Sequence, residues 1–269
     1  MNPPPASRQP KGAPRAGATR WRSAAGRQLL LFLAAYAVYS LARWLFVGDP
    51  STAVRHAHWV LRLERTMGVA IEASVQHALD TGVLIWVLSN VYLAAQLVVP
   101  PAAFVWLYRR SPEVYRGLRN TVLATWLIAI PIYALFPVAP PRLAEAGIVD
   151  TVTKQAGVAL TGRSTIFYNP LAAVPSLHVG VAAAIGVALF IALRAPWAKA
   201  LALLWGPTVA LAVLATGNHY LFDIAAGLLV TLAGFGAARL TSHLSRSRSP
   251  RVLMRAARSP GTQPEAAKP

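Results

Sequence analysis

The stretch Gly217-Asn218-His219-Tyr220-Leu221-Phe222-Asp223 begins an otherwise apolar segment about one membrane thickness long. In a helix that starts near Asn218, His219 and Asp223 are four residues apart and share one face. The carboxylate can then hold one imidazole nitrogen and leave the other available, as in a nucleophilic or general-base histidine. The positive end of the helix dipole disfavours an imidazolium ion here, and asparagine commonly caps a helix start. The alternative is a buried His–Asp pair that only joins two helices.

The composition indicates a membrane protein. The 269 residues are 55% hydrophobic and 13% charged, which is too apolar for an ordinary soluble domain. Six segments approach the ~20 residues that span a bilayer: 29–47, 83–108, 121–137, 177–193, 198–216 and 220–238. The second contains Gln96 and a Pro100-Pro101 pair, which indicates a kinked helix that faces other helices. We therefore expect an all-α polytopic membrane protein, a six-transmembrane-helix bundle with an outer interfacial helix in residues 51–80.

The net charge of +17 is unevenly distributed between the two sides of such a bundle. With six spans, 19 of the 26 lysines and arginines fall on the side of the two tails, and six fall in the two long loops opposite. The positive-inside rule then places both tails in the cytoplasm of a multi-pass cell-membrane protein. We expect residues 1–27 and 241–269 to be disordered basic cytoplasmic tails and residues 28–240 to form the membrane domain. Because the basic residues act as topology signals, nucleic acid is not an expected partner.

The first apolar segment also has features of a signal peptide. Basic residues precede it, and Ser40-Leu41-Ala42 is similar to a cleavage site. Cleavage would leave five spans and put the tails on opposite sides of the membrane. We expect an uncleaved anchor instead.

A proline-rich stretch after the third span contains an arginine. Pro137, Pro140 and Pro141 stop the helix and stiffen the chain, which holds Arg142 near the outer surface. A guanidinium group there suits a phosphate, because it offers a planar fork of donors and stays charged in a partly dry site. The alternative is an arginine that reaches the lipid headgroups.

The fourth span begins at Val174-Pro175-Ser176-Leu177-His178-Val179-Gly180. Proline suits a first helical turn, so Ser176 and His178 should lie beside the backbone N–H groups that bind anions at helix starts. The fourth and sixth spans run in the same direction, so His178 and His219 lie at one membrane face. Arg142 follows the third span, which runs oppositely, and emerges on that face too. We therefore predict one functional layer, on the outer face.

Two histidines, an arginine and a helix-start serine favour phosphoryl transfer through a phosphohistidine. His219 would attack phosphorus while Asp223 orients it, and His178 would protonate the leaving oxygen and later activate the acceptor. Arg142, Ser176 and backbone amides would stabilise the equatorial oxygens. This chemistry needs no metal and no other cofactor. The rival hypothesis, an iron or zinc site made of the two histidines and the aspartate, leaves the phosphate-binding features unexplained.

These motifs resemble those of the type 2 phosphatidic acid phosphatase superfamily, and specifically of its inositol phosphorylceramide synthase-like branch. The resemblance covers about residues 61–240. The stretches that carry it are Ala139-Pro140-Pro141-Arg142-Leu143, Asn169-Pro170, Val174-Pro175-Ser176-Leu177-His178-Val179, and Thr216-Gly217-Asn218-His219-Tyr220-Leu221-Phe222-Asp223 with Gly227. The resemblance implies a six-helix fold, a nucleophilic His219 with its partner Asp223, and His178 as the acid. These roles agree with those argued from the residues.

The chain departs from the pattern of the larger phosphatase group at three positions. Leu177 replaces a glycine, Leu143 replaces a proline, and Val213 replaces an arginine six residues before the nucleophile. One phosphate ligand is therefore unassigned. Residues that could replace it are Asn218, Arg163 and Arg119, of which Arg119 falls on the cytoplasmic side of the expected topology.

A site at headgroup depth favours a membrane lipid phosphate ester as substrate, and diacylglycerol, ceramide and polyprenyl carriers all remain open. Leu177 and Tyr220 are shared with the inositol phosphorylceramide synthase-like branch, and bulky groups beside the histidines should exclude water. We therefore expect transfer to an alcohol, such as the polyol inositol. Hydrolysis by a lipid phosphate phosphatase is the alternative. A non-catalytic membrane transporter or scaffold is the hypothesis from another functional class.

Overall fold

The computed structural model describes residues 16–45, 48–145, 147–156 and 169–247. In those ranges the chain forms helices, and the only pairing of extended segments is an isolated bridge between Val138 and Ala172. In chain order the helices are α1 (Ala16–Leu45), α2 (Pro50–Thr66), α3 (Glu72–Leu79), α4 (Gly82–Leu97), α5 (Val99–Arg110), α6 (Pro112–Leu135), α7 (Pro141–Ala144), α8 (Thr151–Ala156), α9 (Leu177–Ala192), α10 (Pro196–Ala215) and α11 (Leu221–Ser247). The prediction of an all-α fold is therefore confirmed.

Several of these helices can cross a membrane. Among the described residues, α6, α10 and the Leu221–Leu244 part of α11 are long and apolar enough, and α4 with α5 makes a fourth span if their 48° bend is included. The bend falls at Val98, just before Pro100 and Pro101, because proline cannot donate to the helical hydrogen-bond ladder. The chain is thus a multi-pass membrane protein. The count of six is not confirmed, because α9 and the apolar part of α1 are shorter than a full span.

Residues 51–80, expected to form one interfacial helix, contain the two helices α2 and α3. Asp49 caps α2 by accepting a hydrogen bond from Thr52 N at 2.8 Å. The buried face of α2 packs against the chain that follows α6 and against the chain that precedes α11. Residues of this cluster are Ala53, Ala57, Val60, Leu61, Val138, Ala139 and Tyr220. Helix α2 therefore packs over the start of α11, and a location at the membrane surface is not confirmed.

Glycines let α9 lie directly against α11. A Cβ atom on Gly227 would lie 2.2 Å from the Ser176 carbonyl oxygen, and one on Gly180 would lie 2.2 Å from Thr231 Oγ1. The close approach also permits Ser176 N to donate a hydrogen bond to the Asp223 carbonyl oxygen at 2.9 Å. This contact places the first residues of the two helices side by side.

The terminal helices run past the expected domain boundaries. Helix α1 begins at Ala16, inside the tail predicted to be disordered, and α11 continues to Ser247. Alanine and arginine favour helix, and extending a formed helix is much easier than starting a new one. The rest of both predicted tails, residues 1–15 and 248–269, lies outside the described residues.

Candidate active site

The histidine–aspartate pair lies at the start of α11, with His219 just before the helix and Asp223 in its first turn. Gly217, with a φ of 66°, makes the turn after α10 in a left-handed conformation that favours glycine. His219 follows, with Nδ1 3.2 Å from Asp223 Oδ2. The same oxygen accepts a hydrogen bond from Tyr220 N at 2.9 Å. Asp223 is fully buried and orients the imidazole through Nδ1, so Nε2 is the nitrogen that can attack a substrate.

Helix α11 begins at Leu221, three residues later than Asn218, so the expectation that Asn218 caps it is wrong. The Asn218 side chain is used elsewhere. Its amide donates to Thr216 Oγ1 at 2.9 Å, and its carbonyl oxygen accepts a hydrogen bond from Arg142. Asn218 thus connects the turn before His219 to the arginine predicted to bind phosphate.

Arg142 lies in the short helix α7, and its backbone N–H donates to the Gly217 carbonyl oxygen at 3.1 Å. Its side chain is only 1% exposed. Besides the bond to Asn218, the guanidinium Nε lies 3.6 Å from Asp150 Oδ2. The proline-rich stretch therefore fixes this arginine beside the His219 loop, as predicted from its position after the third span.

His178 lies in the first turn of α9 and is partly buried. Its Nε2 is 3.0 Å from Oε1 of Gln96, in the last turn of α4, and its ring stacks on Tyr92 with the centroids 4.5 Å apart. The ring centroids of His178 and His219 are 5.7 Å apart. A phosphorus atom between the two rings could therefore be reached by both.

One cavity of about 340 Å³ joins these groups. It is lined by His178, His219, Arg142 and Asn218, and by Asn169 from the loop before α9. The rest of its wall is largely apolar and includes six aromatic side chains: Phe32, Tyr36, Tyr39, Tyr92, Trp126 and Tyr133. The structure therefore brings together polar residues from three distant segments, at the inner end of an apolar pocket.

Three other predicted phosphate ligands are placed differently. Ser176 is fully buried and contributes nothing to the cavity wall, because the start of α9 packs against Gly227. Arg163 lies outside the described residues. Arg119 lies in the first half of α6, at the end of the helix away from the site, and donates to Gln28 and Asn120.

Sequence reasoning missed several residues around the site. Gln96 was recognised only as a polar residue within a span, and its contact with His178 could not be deduced without knowing how α4 packs. Glu64 and Glu72, on α2 and α3, are 2% and 1% exposed and bind the first turn of α11. An acidic residue buried on a predicted surface helix leaves no signal in the spacing of the sequence.

The rival metal-site hypothesis depends on three converging ligands. Within the described part of the chain, no three histidine, aspartate or glutamate side chains are arranged to hold a metal ion. Nδ1 of His219 is directed at Asp223, whereas Nε2 of His178 is directed at Gln96. The expectation that the reaction needs no metal remains a prediction.

The protein is multi-pass and helical, and two histidines, a buried aspartate and an arginine surround its apolar cavity. This arrangement is typical of a membrane phosphatase or phosphotransferase. Comparison with protein families agrees: the family model of the PAP2 superfamily matches residues 58–237. The chain belongs to the PAP2 superfamily and has its membrane phosphatase-type fold. Its members are phosphatases and phosphotransferases, which supports an enzymatic role here. Neither the curated proteins nor the solved structures gave a match.

Proposed function

We propose that this protein is an integral membrane phosphotransferase that acts on lipid phosphate esters through a phosphohistidine at His219, in the manner of the inositol phosphorylceramide synthase-like branch. The observation that carries the proposal is the 5.7 Å separation of the His178 and His219 rings, in a cavity that Arg142 also lines. A nucleophile, an acid and a cation at one cavity are the minimum set for this chemistry.

In the first half-reaction, Nε2 of His219 attacks phosphorus. A P–N bond forms, the P–O bond to the leaving group breaks, and His178 gives a proton to the leaving oxygen. Asp223 stabilises the positive charge that develops on the His219 ring. Arg142 binds the non-bridging oxygens, with Asn218 and Arg163 as further proposed ligands.

In the second half-reaction, an alcohol gives its proton to His178 and attacks phosphorus, and the P–N bond breaks to restore His219. Water in place of the alcohol makes the protein a lipid phosphate phosphatase, the second candidate function. Transfer is favoured by the apolar surroundings: Leu177 lines the cavity, and Tyr220, next to His219 in the chain, is fully buried in the cluster under α2. Such groups limit the access of water to the phosphohistidine.

The aromatic wall of the cavity supports a lipid as the donor. A volume of about 340 Å³ is at the lower end of ligand pockets, and Phe32, Tyr36 and Trp126 offer an apolar surface beyond the histidines. An acyl or prenyl chain can lie there while its phosphate contacts Arg142. A free sugar phosphate would leave this surface exposed to water.

The proposal includes six crossings with the site on the outer face. Helix α9 is about 24 Å long at ~1.5 Å per residue, so it crosses only if its start lies below the headgroups, where His178 would meet a lipid phosphate. The chain has no cysteine, so a single Val149→Cys variant, at an exposed side chain between α7 and α8, gives a clean label. It should react with an impermeant thiol reagent in intact cells, whereas reaction only after lysis would reverse the topology.

The function is tested by supplying purified protein with a panel of lipid donors that carry diacylglycerol, ceramide or polyprenyl chains, together with labelled alcohols in oxygen-18 water. Transfer predicts a labelled lipid or polyol product, identified by mass. Phosphate carrying oxygen-18, with no alcohol adduct at any acceptor concentration, would make the protein a phosphatase. Vanadate should inhibit and chelators should not. A transporter or scaffold predicts no product, and partner binding that survives His219→Ala.

A further inference from the structure

The first turn of α11 is held by acidic side chains from outside the membrane helices. The first N–H groups of any helix have no partner within the helix. Here Leu221 N donates to Glu72 Oε1 at 2.9 Å and Phe222 N donates to Glu64 Oε1 at 2.6 Å. The donors and acceptors of these bonds are 149 and 158 residues apart in the chain. The segment that contains His219 and Asp223 is therefore anchored by α2 and α3.

The two glutamates are buried together. The pKa of Glu64 is raised to about 8, mainly by burial and in addition by the neighbouring Glu72 carboxyl and Asp223, although the bond from Phe222 N lowers it. Two carboxylates buried this close cannot both ionise without a large cost. Oε2 of Glu64 accepts no hydrogen bond from the described residues. If Oε2 carries a proton, it can donate a hydrogen bond to the neighbouring Glu72 carboxylate, and both carboxyl groups then have a partner.

The groups that face this pair are acidic. Glu72 lies at the start of α3, and Asp223 comes from the first turn of α11. Burial and the surrounding carboxylates, which include Glu145 before α8, also raise the pKa of Tyr220. A single negative charge shared by Glu64 and Glu72 is stabilised by the positive N-terminal end of the α11 dipole. A second negative charge on the two glutamates would add to the repulsion from Asp223.

We propose that Glu64 and Glu72 form a carboxyl–carboxylate pair, sharing one proton, that positions His219 for attack by fixing the first turn of α11. The inference rests on the proposed function, in which His219 is the nucleophile. Both glutamates are positioning residues: they contact the backbone of α11 and not the substrate. A shift of about 1 Å in a reacting group can cost on the order of 100-fold in rate, which is why such a support matters.

The test compares Glu64→Gln with Glu64→Ala in the full chain, in detergent micelles. A glutamine keeps the acceptor for Phe222 N and donates to Glu72, as a protonated carboxyl does, whereas alanine removes both bonds. Hydrogen exchange of a peptide covering residues 217–223 reports the anchor without any need for activity. Vanadate affinity and turnover of dioleoyl phosphatidate report the site. Glu113→Gln, at a carboxylate that is 92% exposed, is the matched control.

We expect Glu64→Ala to speed exchange at Leu221 and Phe222 by about tenfold or more and to lower turnover by about 10- to 100-fold. Glu64→Gln should stay within about threefold of wild type at pH 7. Above pH 8 the wild type should lose protection and activity as Glu64 ionises, and Glu64→Gln should not. If Glu64→Ala does not fold, Glu64→Gln and Glu72→Gln carry the test through their pH profiles.

Two results would overturn the inference: unchanged exchange and turnover in a folded Glu64→Ala protein, or a Glu64→Gln protein as impaired as Glu64→Ala. A wild-type protein that neither binds vanadate nor turns over any lipid donor contradicts the proposed function instead. In that case the exchange measurement still decides whether the pair anchors α11.

Discussion

The starts of α9 and α11 resemble each other in sequence and differ in how they are held. Each has a histidine at or just before the first turn of an apolar helix. At α11, His219 contacts a buried aspartate. The carboxyl groups of Glu64 and Glu72 accept hydrogen bonds from backbone N–H groups of the first turn. At α9, the Ser176 side chain makes no capping bond, and His178 contacts the neutral amide of Gln96.

The difference separates two electrostatic tasks. In the proposed mechanism, a negative environment around His219 stabilises the positive charge that its ring gains as it bonds to phosphorus. A carboxylate beside His178 would instead repel the phosphate that has to lie between the rings. In this mechanism the start of α11 holds the nucleophile in place, and the start of α9 admits the anion.

The largest effect should come from the nucleophile. His219→Ala should lower lipid turnover by more than about 10⁴-fold, because no other group can form the covalent intermediate. The measurement is turnover together with trapping of the acid-labile phosphoenzyme. His77→Ala, at an exposed histidine on α3, is the control. Residual phosphoenzyme in the His219→Ala protein would place the nucleophile elsewhere.

The acid histidine should show a dependence on the leaving group that the nucleophile does not. His178→Ala should lower turnover of alkyl phosphate esters by about 10²- to 10⁴-fold, since an alkoxide needs a proton to leave. With p-nitrophenyl phosphate, whose leaving group departs without a proton, the loss should be much smaller. His219→Ala should be inactive with both substrates. Equal losses of His178→Ala on the two substrates would argue against an acid role.

Arg142, which is fixed beside the His219 loop, should govern binding of the phosphate. A charge-assisted hydrogen bond is worth about 1.5–3 kcal/mol, so Arg142→Ala should weaken vanadate binding by about 10- to 100-fold. Arg142→Lys should recover only part of the vanadate affinity, because lysine keeps the positive charge but lacks the planar fork of donors. Removing Arg142 also takes away the cation that lies 3.6 Å, Nε to Oδ2, from Asp150. Comparison with Asp150→Asn and the double variant separates that loss of stability from the loss of binding.

Gln96 should have a smaller effect, because a neutral amide only fixes the ring. Gln96→Leu should lower turnover by about five- to tenfold, as expected for the loss of one neutral hydrogen bond. It should also shift the pH dependence assigned to His178. Asn90→Leu is a matched control, since Asn90 lies on the same helix and donates only to the Trp86 carbonyl oxygen, at 2.8 Å. An unchanged pH profile in Gln96→Leu would remove Gln96 from the site.

Local patterns in the sequence predicted the parts of the site that depend on short spacing or on helix direction. The spacing of four residues predicted the contact of His219 with Asp223, but His219 lies before α11 and not on its face. The two meet because Asp223, in the first turn, reaches back to the residues that precede the helix. His178 and Arg142 reach the same end of the bundle because consecutive spans run in opposite directions. Composition alone was enough to predict a helical membrane protein, and the Pro100-Pro101 pair was enough to predict the bend between α4 and α5.

Other parts depend on which surfaces pack together, and the sequence carries no local signal for that. Glu64 lies on a helix that was expected to rest on the membrane, yet α2 folds over the start of α11 and buries it. Ser176 was expected beside the phosphate because it precedes a helix. Gly227 instead lets α9 pack so closely that the Ser176 side chain turns away from the cavity wall. Long-range contacts of this kind follow only from the packed structure.

The smallest effect on turnover at pH 7 is expected from the α11 side alone, where the change should appear in the dependence of stability on pH. The folded state raises the pKa of Glu64 from its ordinary value of 4.5 to about 8. Between these two pH values the folded protein holds a proton that the unfolded chain has lost. Stability should therefore fall as pH rises from 4.5 to 8, by at most about 1.4 kcal/mol per pH unit for one proton, and should not fall further above 8 on account of this group.

Glu64→Gln isolates this contribution, because glutamine resembles the protonated side chain and does not titrate. At pH 4 the two proteins should unfold at similar temperatures, since Glu64 is then largely protonated in both the folded and the unfolded wild type. At pH 8 the variant should be the more stable of the two, and the difference between their unfolding temperatures should grow steadily in between. The measurement is thermal unfolding of both proteins in the same detergent across this range. Because all other groups titrate alike in both, parallel curves would mean that Glu64 ionises normally and that charge at the α11 start is balanced in another way.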